Sequence, residues 1–113
     1  MPTPLTLNLG EGSVVFSFSP AAARELDAAL GELLTRLKMA ATGPAGRGTP
    51  QVSLEYRHQG DVFLEVFCNP NLWASPFAAR VLLTVRDDRL RLTTEADLTR
   101  VMEDVSLYLE NYG

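Results

Sequence analysis

The sequence predicts an α+β fold of two layers, an antiparallel sheet of about six strands in the order ββ-α-ββββ-α with both helices on one face. Three observations point there. Apolar and polar residues alternate in paired stretches separated by turn residues, and two longer stretches carry the three-and-four spacing of amphipathic helices. The strands are also grouped with too little chain between them for the crossovers that parallel pairing requires.

Taken in order, Leu5, Leu7 and Leu9 alternate with Thr6 and Asn8, Gly10-Glu11-Gly12 supplies turn chemistry, and Val14, Phe16 and Phe18 alternate with Val15 and Ser17, which makes a β-hairpin. Ser19-Pro20 then reads as an N-cap followed by a first-turn proline. Ala23, Leu26, Leu30, Leu33, Leu34 and Leu37 trace one helical face, so the helix should run from about Pro20 to about Ala41. Residues 42–50, TGPAGRGTP, hold three Gly and two Pro without a large apolar side chain, and read as a flexible loop too short to divide the chain.

Val52, Leu54 and Tyr56 alternate with Ser53, Glu55 and Arg57; His58-Gln59-Gly60-Asp61 turns; Val62, Leu64 and Val66 alternate with Phe63, Glu65 and Phe67. A third hairpin follows the loop Asn69 to Phe77, with strands Arg80 to Arg86 and Arg89 to Thr93 joined at Asp87-Asp88. Its expected inward residues are Val81, Leu83, Val85, Leu90 and Leu92. Thr94 is the expected start of the last helix, with Asp97 three residues on as a variant capping box. Leu98, Val101, Met102, Val105, Tyr108, Leu109 and Tyr112 form its apolar stripe, and the neighbours Glu103 and Asp104 should both face water.

A length of 113 residues with 46% hydrophobic content defines a single domain over 1–113. The whole formal charge of −4 falls on Thr94 to Gly113, where five acids face Arg100 alone. An acidic chain lacks the cationic footprint that gives nonspecific affinity for phosphate backbones, which disfavours nucleic acid. A single cysteine, Cys68, rules out an internal disulfide and fits a reducing compartment. The apolar runs are too short to span a bilayer, and MPTPLTLNLG lacks the pattern of a secretory signal, so a cytoplasmic location without membrane attachment is expected.

The sequence holds no catalytic constellation, no metal-ligand spacing and no cofactor motif, and the expectation is a noncatalytic protein. His58, the only histidine, sits in a predicted turn where such a residue is usually solvated. Cys68 closes a strand, a position typical of a small buried side chain. The one arrangement open to nucleophilic catalysis is a Cys68–His58 pair, and the fold would have to bring the two together. Gly43, Gly46 and Gly48 follow a helix rather than a strand and precede no Gly-Lys-Ser/Thr, unlike a phosphate-binding loop.

With both helices on one face, the other face of the sheet would display Ser53, Glu55, Arg57, Phe63, Glu65, Phe67, Leu82, Thr84, Arg89 and Arg91. Phe63, Phe67 and Leu82 among opposite charges compose an interface rather than a solvated surface, and suggest a homodimer or another protein partner. Two alternatives stand beside this: the loop 69–77 covers the phenylalanines, or a one-residue slip in register makes them core. Trp73 and Phe77, in an irregular segment stiffened by Pro70 and Pro76, are further interface candidates, although Trp73 equally suits a plug for the end of the core. A second functional class also arises. Arg57, Arg89 and Arg91, with Arg80 and Arg86, make up half of the basic residues and with Phe63 and Phe67 suggest a stacking platform for single-stranded nucleic acid. Glu55, Asp61, Glu65, Asp87 and Asp88 offset them.

The closing stretch TTEADLTRVMEDVSLYLENY and the Asn69-Pro70-Asn71 triplet before Trp73 resemble small uncharacterised cyanobacterial proteins, over about the last third of the chain and without a diagnostic motif. This resemblance implies a bacterial source and no particular function. Paired strands followed by a helix are similar to the architecture of single-stranded-DNA-binding regulators of the PC4 and Whirly kind, whose lysine-rich binding strands have no counterpart here. Such an analogy of fold transfers no activity.

Overall fold

The computed structural model describes residues 3–41 and 50–113. Six antiparallel strands and two α-helices follow the expected order: β1 Thr3–Asn8, β2 Ser13–Phe18, α1 Pro20–Ala41, β3 Leu54–His58, β4 Phe63–Cys68, β5 Arg80–Arg86, β6 Arg91–Asp97 and α2 Leu98–Tyr112. A single 3-10 turn, Pro70–Leu72, interrupts the loop between β4 and β5. The strands divide into two sheets, the hairpin β1-β2 and a four-stranded meander β3-β4-β5-β6. The loop expected over 42–50 lies, from 42 to 49, outside the described residues.

Each element has a local cause. Leu9 N–H donates to the Gly12 carbonyl across the first turn, which Gly10 enters with φ +89°, a conformation that costs a residue with a Cβ. The Ser19 hydroxyl accepts from the Ala22 N–H and caps α1, whose stripe of Leu26, Leu30, Leu33 and Leu37 is wholly buried. Asn69 caps the 3-10 turn by accepting from the Asn71 N–H, and Asn71 in turn clasps both backbone groups of Gln51, so the Asn-Pro-Asn triplet staples the approach to β3 onto the loop.

The meander buries one face. Leu54, Tyr56, Leu64, Val66, Cys68, Val81, Leu83, Val85 and Ala96 join a core with Leu5, Leu7, Phe16 and Phe18 of the hairpin and the stripes of both helices. The Phe18 ring meets the His58 ring edge-on at 5.1 Å, and the Tyr56 hydroxyl donates to the Ala22 carbonyl in the first turn of α1. The hairpin therefore shares the covering layer with the helices.

Four expectations are corrected. β6 runs on through Thr94, Glu95 and Ala96 to Asp97, and α2 begins at Leu98, because these residues complete the ladder with Leu83, Leu82, Val81 and Arg80. Asp97 is the N-cap and makes no side-chain capping bond, so the box opened by Thr94 does not form. Leu90 and Val52, expected inward, are exposed: Leu90 belongs to the turn closed by Asp87, and Val52 precedes the first residue of β3. Asp104, expected in water, is 8% exposed, and its carboxylate accepts from the Asn8 backbone N–H at 2.8 Å and the Asn8 side-chain amide at 2.9 Å. The two bonds fasten α2 to β1 and satisfy a charge that burial would otherwise penalise.

Candidate functional site

Alternation puts the remaining side chains of the meander on its outer face, and the strand register orders them in rows. Phe63 lies beside Arg86, and Arg86 beside Arg91. The next row reads Arg57, Glu65, Thr84, Thr93, and the third reads Glu55, Phe67, Leu82, Glu95. Arg80 beside Asp97 closes the far end. The register matches the expected one, so Phe63, Phe67 and Leu82 point away from the core. Val66 and Leu64, one residue removed, are fully buried.

The face is closely packed by its own side chains. Arg86 lies over the Phe63 ring, 4.3 Å from its centroid, a cation–π contact that also lays the arginine stem on an apolar surface. Phe67 pairs across strands with Leu82, which is 41% exposed. Thr84, between Glu65 and Thr93 in the register, is only 6% exposed although it faces outward. The Arg57 side chain donates to Glu65 at 2.5 Å; this bond and the charges of Glu65 and Glu55 raise its pKa further. Arg80 stands 4.0 Å from Glu95 and 3.8 Å from Asp97. Arg91 and Glu55 make no ion pair among the described residues.

Charge is therefore unevenly spread along the strands. One end of the face carries Arg57, Arg86 and Arg91, and the other carries Glu55, Glu95 and Asp97 around Arg80. Arg89, expected on this face, instead sits in the β5–β6 turn, where its N–H and that of Leu90 donate to the Asp87 carboxylate. Those two bonds hold the Asp87 pKa below its usual value. The sequence places Arg80 among the basic residues of the sheet but not its acidic neighbours Glu95 and Asp97, because the expected β6 ends at Thr93; the alternation Thr93-Thr94-Glu95-Ala96-Asp97 is the available signal.

The other candidates lie elsewhere. Trp73 is half-buried against the core, while Phe77, on the segment leading to β5, is 86% exposed. Burial pushes the Cys68 thiol pKa up, with the neighbouring Trp73 side chain opposing. Cys68 pairs with Leu54 and His58 with Leu64, so the register sets cysteine and histidine at opposite ends of the β3–β4 ladder. Among the described residues no cluster of His, Cys, Asp and Glu is arranged to hold a metal, and no helix is long and apolar enough to cross a membrane.

Compared with family models, with curated proteins and with solved structures, the chain matches none. Fold and surface define a class, a two-layer α+β domain with an amphipathic outer sheet face.

Proposed function

We propose that the protein is a noncatalytic association domain of the cytoplasm that forms a homodimer through the outer face of its four-stranded sheet. The observation that supports this is the placement of Phe63, Phe67 and Leu82 together on the face opposite both helices, among charges of both signs. An aromatic and aliphatic centre with a charged rim is the anatomy of a protein interface. The unpaired Cys68 fits a reducing setting.

The test is the solution mass of the double substitution Phe63→Glu with Phe67→Glu. Neither side chain belongs to the core, so the variant should stay folded by circular dichroism and elute as a monomer where the parent is a dimer. An unchanged mass would remove the interface.

A second reading, single-stranded nucleic acid on the same face, draws on Arg57, Arg86 and Arg91 gathered at one end beside Phe63. Glu65 already engages Arg57, and Glu55, Glu95 and Asp97 would repel phosphates at the other end. This reading requires salt-sensitive binding that weakens on Arg91→Ala, and no binding at low salt would discard it.

A further inference from the structure

We infer that the second copy docks with its strands reversed, the two-fold axis lying between the sheets and perpendicular to the strands, so that the arginine end of each face meets the acidic end of the other. The inference rests on the homodimer reading above and specifies its geometry.

Two sheets packed face to face keep their strands roughly aligned and lie about 10 Å apart, a gap that paired Arg and Asp or Glu side chains can span. A two-fold axis in that plane has two aligned choices. Perpendicular to the strands and centred between the second and third rows, it lays each strand over its own counterpart, running the other way. On the register, Arg91 then faces Asp97 of the second copy and Arg57 faces Glu55 of the second copy, each contact occurring twice. Leu82 meets Thr84, and Phe67 meets Glu65, near the axis. Arg86 comes opposite Arg80, but Arg86 lies over Phe63, and Arg80 stands between Glu95 and Asp97, which leave its surroundings negative.

An axis parallel to the strands lays β3 over β6 instead. Phe67 then meets Leu82 of the second copy, but Glu55 faces Glu95, Arg57 faces Thr93, and Arg91 meets no acid. Like charges held together across an interface disfavour that docking. Arg91 and Glu55, which make no ion pair among the described residues, both gain an opposite charge only in the reversed arrangement.

Arg91→Glu and Asp97→Arg test this in the full chain. Arg91 makes no ion pair among the described residues, and Asp97 makes no capping bond and only a 3.8 Å ion pair with Arg80 between two exposed side chains, so both variants should fold. Each alone puts like charges at both contacts and should weaken the dimer at least tenfold at low salt. An equimolar mixture of the two restores opposite charges at both contacts, and should form a mixed dimer, read by sedimentation or native mass spectrometry. Arg57→Glu and Glu55→Arg repeat the experiment on β3 if either β6 variant fails to fold. A parent protein that is monomeric overturns both this arrangement and the homodimer. A dimeric parent whose charge variants self-associate unchanged, or whose mixture yields no mixed dimer, overturns the arrangement and leaves the homodimer standing.

Discussion

At the scale of single residues, the interior is held by a few polar groups whose partners are far away in sequence. The Tyr56 phenol is buried under α1 and its hydroxyl donates to Ala22; burial, with the nearby Glu25 charge adding, pushes its pKa up to about 12. The unfolded phenol titrates near 10. The folded state thus holds the proton more tightly, and the resulting stability is fully present below about pH 10 and lost as pH rises from there toward 12. An absorbance titration should show a late tyrosinate step from Tyr56, and Tyr56→Phe should abolish that step; its persistence would refute the assignment. His58 shows the limit of reading residues by type: expected solvated in a turn, it ends β3 and packs edge-on against Phe18, a contact that no local pattern announces, whereas Cys68 is the small buried side chain that its place at the end of a strand predicts.

At the scale of elements, most boundaries follow from neighbours in the chain and a few follow from distant partners. α1 starts and ends where its cap and apolar stripe predict, and β5 spans Arg80–Arg86 as its alternation predicts. The β6–α2 junction does not, since Thr94-Glu95-Ala96-Asp97 satisfies a helix-start pattern and a strand pattern equally, and pairing with β5 decides for the strand. Asp104 joins α2 to β1 across 96 residues of sequence. Asp104→Ala deprives both Asn8 donors of their acceptor and should cost about 1–3 kcal/mol, measured by urea denaturation, with Asp104→Asn losing less. A loss below about 0.5 kcal/mol would mean that water replaces the carboxylate without penalty.

At the scale of the whole molecule, one face of the meander is committed to the core, and the other displays apolar and complementary charged groups. If that face closes on a second copy, light scattering should report a dimer whose dissociation constant rises with salt, because cross-face ion pairs at its rim are screened within about 10 Å at 0.1 M. A dimer indifferent to salt would instead place the affinity in Phe63, Phe67 and Leu82 and remove the weight given to the charges.

How much of this was legible follows from where each signal resides. Periods of two and of 3.6 residues are properties of neighbouring side chains. The α+β class, the order of elements, both helical stripes and the sorting of Phe63, Phe67, Leu82, Arg57 and Arg91 to the outer face could therefore be read directly. The division of six strands into two sheets, the extension of β6, the burial of Asp104 and the joining of Arg86, Arg80, Glu95 and Asp97 into one charged field came only with the tertiary structure. Each depends on backbone ladders or hydrogen bonds between segments that the chain brings together only on folding, where a distant donor or strand decides what a local pattern leaves balanced.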